Sequence, residues 1–331
     1  MPKLRVAILQ GAACDGCGMS LVDLHEKLGE LLENVEIVFW LLATDFKYED
    51  LEKIDSIDAL IYYGAIRTEE HKHIVEEFAK KAKIVIAYGA CACYGGIPLL
   101  SNLYEGKEVL KEAYTNTVTT DNPDGKIPGD KFAPYGVDIS IPKYLEWGLK
   151  LDDVVDVHIY VPGCPPGEEV MEEFMETIKK AAMGEKIEKG VVLAKIKTVC
   201  DFCEREKPEK IIIDRFRRVH EVKIDPNKCF LAQGIICLGP ITRAGCGARC
   251  INANMPCRGC FGPAPNVYDP GAKLISALAA LIELENEPKI SDEELMRRVQ
   301  ESVMDPVGLF YRFTLGKGFF NKVQADKVRG Q

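Results

Sequence analysis

Residues 83–96 read KIVIAYGACACYGG: an apolar run from Ile84 to Tyr88 stops at Gly89, and the next seven residues hold two cysteines and two more glycines. A short Ile/Val/Ala-rich run of this kind reads as a strand buried on both faces, the signature of a parallel sheet covered by helices. The same grammar recurs along the first half in LRVAILQG (Leu4–Gly11), VEIVFWLL (Val35–Leu42), DALIYYGA (Asp58–Ala65) and VHIYVPG (Val157–Gly163). Between these runs lie helical patterns near Ser20–Leu32 and Glu69–Lys81, and after them the acidic run GEEVMEEFMET, with Val170, Phe174 and Ile178 on its inward stripe. The reading is α/β: a flavodoxin-like, doubly wound parallel sheet over residues 1–188. Residues 115–141, rich in Pro, Gly, Asp and Asn, read as a long surface insertion.

From residue 189 to 331 the character changes. VVLAKIKTV reads as one more strand, but Cys200 to Pro265 carries eight cysteines with scattered Gly and Pro and little periodicity. Such a segment is expected to lack a core of its own and to need metal cross-links in its place. Two helices should close the chain, one near Ala272–Glu287 and one starting at Ser291 with a capping box to Glu294.

The chain has 331 residues, 47% of them hydrophobic, and a net charge of −9, which excludes a phosphate-binding basic face. Its longest late apolar run, Leu274 to Leu284, is too short to span a bilayer. No nucleic acid and no membrane are the expected partners, and strand-like sequence from Lys3 onward, with no leader pattern, predicts a cytoplasmic protein. Thirteen cysteines in that compartment point to metal rather than disulfides.

In the first half the cysteines follow strand ends: Cys14 and Cys17 after the first, Cys91 and Cys93 after the run at 84–88, Cys164 after VHIYVPG. Loops beyond the carboxyl ends of a parallel sheet share one edge, so three distant loops can close on one site, and an anionic iron-sulfur cluster suits it. Taken alone, Cys14 and Cys17 fit a redox dithiol or half a zinc site equally well. The second half holds Cys200, Cys203, Cys229, Cys237, Cys246, Cys250, Cys257 and Cys260, enough thiolates for two zinc ions or two cubane clusters. Four at the strand ends and eight here leave one of thirteen spare, and three four-cysteine clusters would form a relay. His71 and His73, two apart on a helix, do not face each other and read as solvated surface.

These motifs resemble the small, electron-transferring subunit of [NiFe] hydrogenases over nearly the whole chain. C-x-G-C is matched by Cys14 and Cys17, the G-x-C-A-x-Y-G-G turn by Cys91, and P-G-C-P-P by Cys164; the last also occurs in the quinone-reducing subunit of respiratory complex I, which lacks the eight-cysteine half. ICLGPITRAGC and PCRGC match the later signature. The resemblance implies three 4Fe-4S clusters: proximal on Cys14, Cys17, Cys91 and Cys164, medial on Cys246, Cys250, Cys257 and Cys260, distal on Cys200, Cys203, Cys229 and Cys237. Cys200 stands where many members have histidine, and Cys250 where many have a proline that leaves a three-iron medial cluster. Cys93 falls at a small-residue position and is expected to pack beside the cluster. Asp15 stands where respiratory members carry Thr, and Gln10 with Gly11 replaces their Glu-Gly.

The implied role is to carry electrons from hydrogen split at the nickel-iron centre of a separate large subunit, making no bond to hydrogen itself. The cytosolic archaeal group is the nearest in pattern: the methyl-viologen-reducing enzyme that feeds heterodisulfide reductase through an iron-sulfur adaptor subunit, with deazaflavin-reducing and sulfur-reducing hydrogenases as alternatives. A free-standing multi-cluster carrier and a structural zinc protein are the readings from other classes.

Overall fold

The computed structural model describes residues 3–129, 131–132, 136–137, 139–213, 215–281 and 291–321. The apolar runs form β1 (Leu4–Gln10), β2 (Val35–Trp40), β3 (Ile57–Tyr63), β4 (Ala82–Tyr88) and β5 (Ile159–Val161), joined by a two-residue β6 (Val191–Val192). Their order across the sheet is β6-β5-β4-β3-β1-β2, and every pairing is parallel. The first five follow the flavodoxin-like order 2-1-3-4-5.

Alternate residues of each strand serve opposite faces, as the pleat requires. Val6, Ile8, Ile61, Ile86 and Val161 pack with Leu21, Val170, Phe174 and Ile178 of the helices on one side. Ala7, Leu9, Leu60, Val85 and Ala87 pack with Val75 and Phe78 of the helix on the other. That second helix spans Glu69–Lys81, as its pattern predicts; the Thr68 hydroxyl accepts from the His71 amide, and acidic and basic residues sit at its opposite ends.

Four expectations need correction. The helix read over Ser20–Leu32 is two, Gly16–Val22 and Glu26–Asn34, because His25 takes a positive φ of 52° that no helix continues through. VVLAKIKTV contributes only the two residues of β6. His71 is half-buried, not solvated: its Nδ1 accepts from the Arg67 amide at 3.4 Å, and burial lowers its pKa. The cysteine-rich half does own a core, built from Val199, Phe230, Ile236, Leu238, Ile241 and Ile251. Leu274, Leu278, Phe310 and Leu315 complete it, so apolar residues without local period gain a common interior only when the late helices fold back.

Of the closing helices, one spans Pro270–Ala279, and residues 282–287 of its expected range lie outside those described. The other spans Asp292–Ser302, with the Glu294 amide donating to the Ser291 hydroxyl at 3.3 Å. Residues 115–129 of the expected insertion are largely exposed.

The last described segment is tied to the first half by buried polar groups. Asn102 donates to Gly148 O at 2.8 Å and to the Asn321 side chain at 3.0 Å, and accepts from Arg67 at 3.1 Å. Asp152 pairs with Lys150 at 2.6 Å and with Lys317 at 2.9 Å, and accepts from the Tyr160 hydroxyl at 3.1 Å. Burial alone would raise the Asp152 carboxyl, but the two lysines outweigh it and hold its pKa at about 2, against 3.8 ordinarily. Asp152→Asn removes one partner of a buried ion cluster and should cost about 3 kcal/mol, read as a lower thermal midpoint at neutral pH. Because the folded pKa is the lower one, the wild-type contribution is present above pH 3.8 and fades as pH falls towards 2, so the two midpoints should converge on acidification.

Candidate functional site

The carboxyl ends of β5, β4, β3 and β1 follow one another along the sheet, and Cys14 and Cys17 come after β1, Cys91 and Cys93 after β4 and Cys164 after β5. After β1, the Gly11 amide donates to Tyr63 O and the Ala12 amide to Ala65 O, both at 2.8 Å, fixing the entry to Cys14. Cys17 then lies buried in the helix Gly16–Val22. After β4, Gly89 adopts φ 83° and its successor's amide donates to Gly163 O at 2.6 Å, locking the Cys91 turn onto the Cys164 turn. Burial raises the Cys17 thiol most, and the charges of Cys91, Cys164 and Cys14 raise it further. Burial and then Cys164 and Cys14 push Cys91 to about 12, against a donating Ile97 amide. These four thiols are mutual neighbours.

The later cysteines fall into two further groups. Burial and then the neighbouring Cys246, Cys250 and Cys164 push Cys260 to about 12. Cys246, Cys250, Cys257 and Cys260 all line one cavity of about 440 Å³, with Cys164 at its edge. Cys200 is likewise raised to about 12, by burial and then by Cys237, Cys229 and Cys203, while Lys207 opposes. The groups touch in sequence: Cys164 lies beside Cys260, and the Cys257 amide donates to the Cys237 sulfur at 3.3 Å.

Several observations test whether these groups suit iron-sulfur clusters. All 13 cysteines are free thiols, although twelve of them are gathered in groups. Backbone amides reach the sulfurs: Ile97 to Cys91, Gly239 and Cys257 to Cys237, Ala248 to Cys246 and Gly259 to Cys257. Amide-to-sulfur bonds of this kind stabilise thiolate ligands. Glycine is required where the sulfurs press on the backbone: a Cβ on Gly89 would lie 2.2 Å from the Cys17 sulfur, and one on Gly96 2.5 Å from that of Cys91. The residues fit the group.

Cys93 is placed apart. It is fully buried on the far side of its helix from Cys91 and donates to Ala87 O at 3.2 Å, between β4 and β5. Sequence reasoning missed Thr242, whose hydroxyl donates to Leu238 O at 2.7 Å next to the Cys257 turn, and two arginines of the cavity wall, Arg258 and Arg312. Arg258 stood in plain view inside PCRGC, but a charge between two cysteines carries no signal of which way it points.

Residues 14–178 match the family described as NADH ubiquinone oxidoreductase, 20 Kd subunit. A subunit of the F420-non-reducing hydrogenase of Methanothermobacter marburgensis is 40% identical over 316 residues, 95% of this chain and 94% of that protein. The F420-non-reducing hydrogenase iron-sulfur subunit of Archaeoglobus profundus is 36% identical over 326 residues, 96% of this chain and 98% of the relative. A crystal structure of an NAD+-reducing [NiFe]-hydrogenase in the H2-reduced state aligns with a TM-score of 0.47 and 28% identity, over 56% of this chain and 94% of that one. The chain belongs to the small subunits of [NiFe] hydrogenases, and within them to the family of F420-non-reducing hydrogenase iron-sulfur subunits. It is a subunit of an oxidoreductase, and the sequence resemblance holds at the level of the family.

The cradle at Gly89 can be tested directly. Gly89→Ala must adopt a left-handed backbone and displace Cys17, which should cost about 1–3 kcal/mol in chemical denaturation. Gly29→Ala, in a helix with nothing within 4 Å of the new methyl, should be neutral or slightly stabilising. Equal stabilities for the two variants would refute the cradle.

Proposed function

We propose that this chain carries electrons away from a hydrogenase large subunit through three 4Fe-4S clusters. Cys14, Cys17, Cys91 and Cys164 hold the proximal one, Cys246, Cys250, Cys257 and Cys260 the medial one, and Cys200, Cys203, Cys229 and Cys237 the distal one. The observation that carries the reading is the succession of thiol groups, in which Cys164 adjoins Cys260 and Cys257 adjoins Cys237. Bound there, the clusters supply one-electron transfer between the large subunit and an acceptor.

The chain's own work is to hold and tune. Its strand-end glycines let the backbone close on the sulfurs, its amides donate to them, and its burial keeps water from the interior sites. We place the chain in the cytoplasm, where disulfides are disfavoured and thirteen cysteines point to metal. Among the described residues no helix is long and apolar enough to cross a membrane.

For the acceptor we favour an iron-sulfur adaptor subunit feeding heterodisulfide reductase. The relatives' names describe hydrogenases that do not reduce F420, which weighs against a deazaflavin acceptor for this chain. Cys250, a fourth thiol in the medial group, also supports an all-cysteine cluster of lower potential, suited to a low-potential acceptor.

Anaerobic purification with metal and sulfide analysis should find about twelve iron and twelve sulfide per chain. Stoichiometric zinc, or fewer than about eight iron, would overturn the proposal, and a protein isolated with no nickel-bearing partner would favour a free-standing carrier. Cys91→Ser should lose the proximal cluster while Cys93→Ser keeps it; the reverse would exchange their roles. Cys250→Pro should remove about one iron per chain and give the electron paramagnetic resonance signal of a three-iron cluster.

A further inference from the structure

The medial cavity has an arginine wall that ligation does not account for. Arg249 is exposed at its rim and is neutralised by Glu169 at 3.0 Å and Glu168 at 3.7 Å. Arg258 and Arg312 line the same cavity, half-buried, and among the described residues neither pairs with a carboxylate. Arg312 donates through Nε to Gly308 O at 2.9 Å. Arg258 is crowded by Arg312, and the anionic groups its charge meets are the sulfurs of Cys237, Cys257 and Cys250.

Two guanidiniums side by side without carboxylates form an uncompensated pair, unless the cavity itself holds negative charge. A cubane on four thiolates is anionic, and more so once reduced. A fixed cation beside it therefore favours the reduced form, by an amount that grows as water is excluded. Guanidinium is the suitable group, since it stays charged throughout the working pH range.

We propose that Arg258, backed by Arg312, is a positioning residue for charge: it raises the reduction potential of the medial cluster and, through Cys237, to a smaller degree that of the distal one. The inference rests on the 4Fe-4S reading of the medial cysteines. Its consequence is that the fourth thiolate from Cys250 and the arginine pair act in opposite directions on one potential. The medial cluster is thereby kept within reach of its neighbours.

The test is a redox titration of the intact hydrogenase complex followed by electron paramagnetic resonance, with metal analysis of each sample. Arg258→Gln should keep its iron and shift the medial reduction equilibrium at least tenfold towards the oxidised form, about 59 mV for one electron. Arg258→Lys should restore most of that shift, which a purely structural role would not predict. An unmoved midpoint with full iron overturns the inference and leaves the cluster reading intact. A wild-type complex with no medial signal and too little iron overturns both. If Arg258→Gln loses iron, Arg312→Gln carries the decision: a smaller shift in the same direction supports the proposal, and none refutes it.

Discussion

The parallel pairing of β1, β3, β4 and β5 is the constraint on which the other features depend. Parallel strands cannot be joined by hairpins, so each connection crosses a face of the sheet and every strand ends at the same edge. Cys14, Cys91 and Cys164, about 150 residues apart at the extremes, reach one place because of that edge. The bond from the Ala90 amide to Gly163 O then sets two of the loops at a fixed offset. Slip β5 against β4 by one residue, and the register Ile86 to Ile159 that underlies this bond is lost.

The second half is built against that edge rather than hung from it. Phe261, just beyond the last cysteine, is buried in the sheet's own core with Leu193 beside it, and Gly262 packs so closely on Tyr94 that a Cβ would lie 2.1 Å from its ring. Lys317 and Asn321 return to the first half through buried polar contacts. The cysteine-rich stretch is thus enclosed from both sides, by the sheet's edge and by the last helices. Enclosure excludes water from interior thiols such as Cys237 and Cys257, and low dielectric makes each nearby amide dipole and arginine count for more.

Much of this was legible in the chain because strands and metal ligands leave short-range marks. An apolar run ended by glycine and cysteine is a local pattern, and it recurred often enough to predict the sheet and its edge. The helix at 69–81 was legible for the same reason: Thr68 caps it and its apolar stripe has one period. The break at His25, the half-burial of His71 and the core under the eight cysteines were not legible. Each depends on what a side chain meets from elsewhere: His71 on the Arg67 amide, Ile236 and Leu238 on Leu274 and Phe310.

The linear chain already held the sheet, the family resemblance and the inventory of thiols, since spacing and residue type are one-dimensional facts. Folding in three dimensions settled the rest: which thiols are neighbours, that Cys93 turns into the sheet while Cys91 faces its three partners, and that Arg258 and Arg312 line one cavity with Cys246, Cys250, Cys257 and Cys260 and, among the described residues, pair with no carboxylate. The physical reason is that burial and Coulomb interaction depend on distance in space, and in this chain the decisive distances join residues far apart in sequence.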